Sequence, residues 1–395
     1  MELRDLVLVD GVRTPMGDFG GSLASITAND LGAHAARALF ERLGVEGAEI
    51  DHTVVGNALQ TSRDAIYGAR HVALKAGVPQ ERPAFTVNRL CGSGIQSILS
   101  GAQMILTGEA TTCLVGGMES MSQAPHVIWG AREGFRLGQG KLEDLLMVAL
   151  HDGYCGCYMA ETSNTLARER GIGREAQDRF ALESQRRAVA AMESGRLAEE
   201  IVPITVGKGK RERAVERDEH PRSETTMEGL AKLPPAFDPE GFVTAGNASG
   251  IVDGAAMLLL TTERRARERG WTPLGRILSW STVGVDPARM GIGPAPAIGE
   301  ALSRAGLTLA DLDLIEINEA FAGQILAVVQ DLGLDHEILN VNGGAIALGH
   351  PLGATGSRIT LTLLKELRRR GGGRGVASAC IGGGQGIALV VESVG

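Results

Sequence analysis

"GVEGAEIDHTVVGNAL", residues 44–59, returns in altered form as "GLTLADLDLIEINEAF", residues 306–321. The two stretches align without a gap at an offset of 262, with Gly44 on Gly306, Ala48 on Ala310, Asp51 on Asp313 and Ala58 on Ala320. Each copy reads as a helix end, a short turn and a buried strand. Further along each copy, "VN" precedes glycines and a helix, at Val87-Asn88 and at Val341-Asn342. Each then closes on a strand carrying cysteine and glycines, "CLVGG" at 113–117 and "CIGGG" at 380–384. Three matches in one order, at offsets between 254 and 267, define two similar halves. Residues 121–250 match neither copy and hold charged, proline-bearing segments, so they read as an insertion that caps a site.

The remaining sequence is consistent with that division. A chain of 395 residues exceeds one simple core and suggests two or three domains. Hydrophobic residues at 44% and charged residues at 22% describe a globular protein, not a disordered one. Strand-like runs such as "LVLVD" and "GVASACI" alternate with helical runs such as "DLGAHAARALFERLG" and "GSRITLTLLKELRRR", which gives an α/β class. The 55 glycines suit a site built from main chain. A net charge of −8 argues against a general nucleic-acid surface, and no apolar run approaches the length of a membrane span. The basic run at 207–222 reads on composition as a solvated loop. The amino end lacks the look of a signal or transit peptide, and five cysteines with no C-x-x-C pair favour free thiols; both lead to the expectation of a cytoplasmic protein.

Reactive residue types concentrate in four glycine-bearing stretches: "NRLCGSG" around Cys91, "INEAFAG" around Asn318, "GGAIALGHPLGATG" around His350 and "SACIGGGQG" around Cys380. Cys91 is either a buried filler or a nucleophile at the start of the helix "GSGIQSILSGAQMILTG", whose N–H groups and dipole would face its sulfur. The repeat places Cys91 and His350 in equivalent loops of opposite halves, so a pseudo-twofold can bring them together. His350, before proline in a glycine loop, is hard to explain as core packing. Asn318 on its own reads as a cap for the helix that follows it. "GHPLGATGS" lacks the ending of a phosphate loop, "GGGQG" sits within the final strand with no helix after it, and "CGC" at 155–157 has the wrong spacing for zinc.

Taken together, "DGVRTPMG", "NRLCGSG", "GGMESMS", "VTAGNASG", "NEAFA", "GGAIALGHPLGATG" and "CIGGGQG" resemble the thiolases, acyl-CoA C-acyltransferases, nearly end to end. The resemblance implies a five-layered α/β/α/β/α core of two duplicated halves. It implies residues 1–120 as the first half, completed by 251–272, residues 121–250 as a loop domain with much of the coenzyme A site, and 273–395 as the second half. It further implies a homodimer or homotetramer acting on acetyl-CoA, acyl-CoA and CoA, with no resident cofactor or metal and no nucleic-acid or membrane partner.

By motif, the resemblance makes Cys91 the nucleophile that carries the acyl group, and His350 its base and a donor to the second thioester oxygen. It makes Asn318 the holder of a water in that same oxyanion hole, and Cys380 the acid/base at the reacting carbon. A second hole would use the N–H groups of Cys91 and Gly382. Ser249 would touch the pantetheine arm, Met159 and Phe321 would line the acyl pocket, and Arg222 would approach the nucleotide. Tyr158 stands where many biosynthetic thiolases carry histidine. The reactions implied are condensation of two acetyl-CoA or thiolysis of 3-ketoacyl-CoA. The alternatives are a longer-chain or aromatic-pathway degradative enzyme and a non-catalytic acyl-CoA-binding protein, which would need none of the four reactive residues.

Overall fold

The structure, a computed structural model, describes residues 3–393. The two copies of the repeat fold alike because equivalent residues do equivalent work. Helix α1 (Ala28–Leu43) stops at Gly44 with φ 60°, and helix α6 (Pro294–Ala305) stops at Gly306 with φ 69°. Both are left-handed caps, a conformation that costs glycine nothing because it has no Cβ. A single 3-10 turn follows each, at Gly47–Glu49 and Leu309–Asp311, and then a buried strand, β2 (His52–Gly56) and β7 (Leu314–Ile317).

The other long strands are β1 (Leu6–Arg13), β3 (Ala84–Val87), β4 (Thr112–Glu119), β5 (Val252–Thr262), β6 (Gly275–Gly284), β8 (Gly373–Ile381) and β9 (Gln385–Ser393). Their order across the sheet is β7-β8-β9-β6-β1-β5-β4-β2-β3, with a two-residue strand at Gly17–Asp18 beside β5. In the first half β2 runs parallel to β4, β4 antiparallel to β5, and β5 antiparallel to β1. The second half repeats this as β7 with β8, β8 with β9, and β9 with β6. Where the first half adds β3 beside β2, the second has one parallel bridge from Leu339 to Ile315. The halves meet through Val7 opposite Arg276 and Leu8 opposite Gly275.

Side-chain alternation produces five layers. On β9, Ala388 and Val390 face an outer cluster with Ile298, Ile325 and Val328, from α6 and α7 (Ala322–Leu332). Leu389 and Val391 face the opposite way, toward Ile95, Ile98, Ile359 and Leu363. Those four belong to α3 (Ser93–Leu106) and α8 (Leu352–Arg369), which lie between the half-sheets. The outer face of the first half is covered by α1 and α2 (Gly68–Lys75), through Leu31, Leu39 and Val72 on Val55, Leu114 and Met257. Strands apolar on both faces are what a sheet buried on both sides requires, and each fully buried Leu, Ile or Val contributes roughly 1.5–3 kcal/mol.

The central helices cross at glycines. A Cβ on Gly94 would stand 2.4 Å from Ser357 N, and one on Gly356 would stand 2.3 Å from Ile95 N. Positions 94 and 356 differ by 262, the offset of the repeat, so the crossing lies on the pseudo-twofold itself. Cys91 lies just before α3 and His350 just before α8, so both helix amino ends open toward one place.

The insertion occupies the β4-to-β5 connection, residues 120–251. In the second half the same connection, β8 to β9, is only Gly382–Gly384. "GGGQG" is therefore not inside the final strand, as its apolar surroundings suggested. It is a tight turn with φ 78° at Gly383 and 80° at Gly384, and only Gln385-Gly386 begin the strand. The insertion contributes helices α4 (Met159–Glu169) and α5 (Arg174–Glu193). Fully buried Arg13 ties it to β1, donating from Nε to Glu200 Oε1 at 2.6 Å and from Nη1 and Nη2 to Asp218 at 2.6 and 2.8 Å. No helix among the described residues is long and apolar enough to cross a membrane.

Candidate active site

Cys91 lies in a 3-10 turn, Leu90–Gly92, that runs directly into α3. Leu90 has φ 46°, a left-handed conformation costing a non-glycine residue about 1–2 kcal/mol. Local bonds hold it there: Leu90 N–H donates to Asn88 Oδ1 at 2.9 Å, and Ser93 Oγ donates to Leu90 O at 2.7 Å while accepting from Arg89 N–H at 2.9 Å. The thiol is half-buried, and the main-chain N–H groups of Gly382 and of Cys91 itself lie near enough to its sulfur to pull its pKa down. Burial pushes its pKa up to about 11, against the pull of those N–H groups, with Glu119 adding to the rise. The expected helix is present, but its amino end does not leave a resting thiolate. Burial outweighs it, so the sulfur needs a base.

His350 supplies an imidazole held neutral. Its pKa is lowered to about 3, first by burial and then by the charge of Arg358. The tautomer follows from the bonds around it. Thr355 Oγ1 donates to Pro351 O at 3.0 Å, so it accepts from His350 Nδ1–H, 2.6 Å away. The Nε2 lone pair then accepts from Asn318 Nδ2 at 3.2 Å. Asn318 is fixed by its own N–H, which donates to Ser378 O at 2.9 Å, while its buried Oδ1 has no protein partner. It does not cap the following helix, since the capping position of α7 is Phe321. A neutral imidazole whose Nε2 carries a lone pair can take a proton, and having taken it can donate to an oxyanion.

Cys380 ends β8 in complete burial, which raises its pKa, and the nearby Cys91 raises it further. Its neighbours include Met290 and Ala320, with Met159 and Phe321 packed against them. Gly382 is also held close: a Cβ there would meet Leu90 Cδ1 at 3.1 Å and Met159 Sδ at 3.3 Å.

Over these groups opens a cavity of about 480 Å³ whose wall includes His350, Ser249, Met159, Phe321, Tyr158 and Arg222. Every binding residue singled out in the sequence thus borders one space. Cys91, Asn318, Cys380 and Gly382 lie behind that wall: Cys91 packs against Met121 and Leu352, and Cys380 against Met159 and Phe321, all four of which border the cavity. Most of the wall comes from the insertion, which therefore does lie over the site. Ser249 is held by its N–H, which donates to Ala320 O at 3.0 Å. Tyr158 packs its ring on His151 and Phe237, with centroids 4.9 and 5.0 Å away. Exposed Arg222, in the run read as a bland loop, reaches the wall while its N–H donates to Gln185 Oε1 at 2.8 Å.

Three supporting residues escaped sequence reasoning. Thr355 sets the histidine tautomer. Glu119, fully buried, accepts from the N–H groups of Ala58, Leu59 and Gly353 at 3.0, 3.0 and 2.8 Å, joining the loop after β2 to the amino end of α8. Burial nevertheless raises its pKa to about 7. Glu319 accepts from Ser184 Oγ at 2.6 Å, Asn340 Nδ2 at 2.9 Å and Ile346 N–H at 3.2 Å, bracing the segment that leads to His350. An acid in an otherwise apolar run, as in "GGMES" and "EINEAF", was the available signal. No cluster of three or more His, Cys, Asp or Glu among the described residues is arranged to hold a metal.

A duplicated α/β core that brings two thiols, a neutral imidazole and paired main-chain donors beneath a capped cavity belongs to the cysteine-dependent acyl-transfer class. Within that class the chain is a thiolase: residues 6–264 match the thiolase N-terminal domain and residues 271–393 the thiolase C-terminal domain. It is 52% identical to the human mitochondrial 3-ketoacyl-CoA thiolase over 392 residues, 99% of each chain. It is 49% identical to the acetyl-CoA acetyltransferase of Rhizobium meliloti over 388 residues, 98% of each. The crystal structure of the human enzyme in complex with CoA superposes with a TM-score of 0.97 at 51% identity, covering 99% of this chain and 98% of that one. That of the Bacillus anthracis acetyl-CoA acetyltransferase also gives 0.97, at 45% identity and 99% coverage of both. The protein is an acyltransferase of this family.

Proposed function

We propose that this thiolase cleaves 3-ketoacyl-CoA with CoA, and in reverse condenses acetyl-CoA, through an acyl group carried on Cys91. The observation that carries the reading is the His350 ring, with Nδ1 on Thr355 Oγ1 and Nε2 paired with Asn318 Nδ2, at the wall of the cavity behind which Cys91 and Cys380 lie. As Cys91 Sγ attacks the keto carbon, its proton passes to His350 Nε2. The N–H groups of Cys91 and Gly382 hold the oxyanion, and preorganised donors of this kind need no reorganisation as charge develops. Collapse breaks the carbon–carbon bond. Protonated His350 and a water on Asn318 steady the enolate oxygen, and the Cys380 thiol protonates the departing acetyl-CoA carbon. In the second half-reaction the Cys380 thiolate takes the proton of CoA, whose sulfur attacks the Cys91 thioester. Cys91 leaves with the proton returned by His350, so the kinetics are ping-pong.

The apolar wall, with Met159 and Phe321 and with Tyr158, packed against Phe237, in place of histidine, supports 3-ketoacyl substrates longer than acetoacetyl-CoA. The human relative's name supports the same choice. Exposed Arg222 suits the nucleotide end of CoA, and Ser249 the pantetheine arm. Residues 121–250 then serve as the CoA-binding loop domain. We also assign a homodimer or homotetramer: β3 is a sheet edge paired on one side only, and Phe85 on it, with nearby Ile66, Tyr67 and Leu90, is exposed. Five free thiols fit a reducing compartment such as the cytoplasm.

Mass spectrometry after incubation with acetyl-CoA tests the reading. An acetyl adduct is expected on the wild type and absent from Cys91→Ser, while Cys380→Ser acylates without turning over. No adduct on the wild type would refute the assignment.

A further inference from the structure

A small hairpin, His151–Asp152 paired with Cys157–Tyr158, borders the cavity, and its turn contains Cys155 and Gly156, directly before Cys157. Gly156 bends at φ 73°, and its N–H donates to Asp152 O at 2.8 Å. A side chain would strain that conformation. The bend brings Cys155 Sγ to 3.1 Å from Cys157 Sγ, about 1 Å beyond the ~2.05 Å of a bonded pair. Both cysteines are partly exposed, and Tyr154 and Gly156 beside them are fully on the surface. Neither has a part in the acyl-transfer steps.

The geometry points to Cys155 and Cys157 as a reversible redox site, a dithiol that closes to an internal disulfide on meeting a low-molecular-weight disulfide of the glutathione type. Cys155 lies in the turn between exposed Tyr154 and Gly156, so it meets the reagent first. Its thiolate breaks the reagent's S–S bond, forms a mixed disulfide and releases one thiol. Cys157, giving up its proton to solvent, then attacks Cys155 Sγ and expels the second. The cysteines lose two electrons and two protons, and the reagent becomes two thiols.

Closure would be felt in the cavity. Cys157 precedes Tyr158, whose N–H donates to Glu161 Oε2 at 2.6 Å and whose ring packs on His151 and Phe237. Met159 N–H donates to Leu150 O at 3.0 Å across the base of the same hairpin. Drawing Cys157 toward Cys155 therefore displaces two residues of the wall. The bond itself is independent of the function proposed above, whereas its effect on turnover rests on that reading.

The test is peptide mapping of the full-length protein after graded exposure to oxidised glutathione, with free thiols alkylated before trypsin digestion. The peptide between Lys141 and Arg168 holds these two cysteines and no others. The expected result is a peptide lighter by two hydrogens and closed to alkylation. In parallel, wild-type thiolysis should fall and recover with dithiothreitol, while Cys155→Ser keeps its activity under the same exposure. A peptide that stays doubly alkylated, or stops at the mixed disulfide, overturns the site whatever the activity does. A closed peptide with equal activity loss in wild type and Cys155→Ser overturns the coupling to the cavity and leaves the disulfide standing.

Discussion

Replacing Thr355 with valine removes two hydrogen bonds, the one its hydroxyl accepts from His350 and the one it donates to Pro351 O, and almost no volume. In the native site Thr355 Oγ1 is the acceptor for His350 Nδ1–H, at 2.6 Å in full burial. Without it, the imidazole either keeps Nδ1–H unpaired, at about 1–3 kcal/mol, or moves its proton to Nε2. The second choice turns the lone pair away from Asn318 and lets that amide flip, so that its unpartnered Oδ1 accepts the new Nε2–H. To the extent that the proton moves, the tautomer with its lone pair on Nε2, the base proposed for the Cys91 proton, is disfavoured by up to that amount. At 1.36 kcal/mol per tenfold, acylation should slow by as much as about 5- to 150-fold. Rapid-quench measurement of the acetyl-enzyme by mass spectrometry reads that step alone, and Thr355→Ser, which keeps the hydroxyl, should restore most of the rate. Wild-type acylation in Thr355→Val, with its fold intact by circular dichroism, would show that the tautomer assignment is wrong.

Acylation should also hold its rate from about pH 7.5 down to about pH 5, because His350 protonates only near 3 and not at the ordinary histidine value. A fall centred near pH 6.5 in the quenched-acylation profile would contradict this. The same depressed pKa predicts that stability present above 6.5 is lost as pH falls toward 3, since the unfolded chain takes up a proton there that the folded one does not. Gly356→Ala places a methyl 2.3 Å from Ile95 N at the helix crossing, and urea denaturation should show a loss of about 1–3 kcal/mol or more. Arg13→Met strands the carboxylates of Glu200 and Asp218 in the interior and should cost about 3–5 kcal/mol by the same measurement. Unchanged midpoints would mean that the crossing, or the tether, relaxes at no cost.

The duplication was readable because the aligned residues answer to backbone geometry. Gly44 and Gly306 are both required by left-handed caps, and the strands after them fill equivalent places in the sheet. The helix after Cys91 was readable from its apolar spacing. The turn at Gly382–Gly384 was not, because apolar residues on both sides hide a chain reversal and only the positive φ angles reveal it. Thr355 and Glu119 were passed over for another reason: a threonine in the first turn of a helix and an acid at a strand end, even one ending an apolar run, have common local explanations. Their partners lie in parts of the chain that only the fold brings near. The resting state of Cys91 depended on a competition between burial and two N–H groups, which composition cannot weigh.

One hairpin connection occurs in two sizes, as three glycines after β8 and as residues 120–251 after β4. The short version leaves no slack, because three glycines, two of them at positive φ, make the whole reversal from β8 to β9. The long version leaves and rejoins the sheet at Glu119 and Val252, so its contents can change without altering the ladder between β4 and β5. Freedom to remodel is thus confined to one side of the pseudo-twofold: the roof of the cavity can be rebuilt while the sheet beneath it stays as it is.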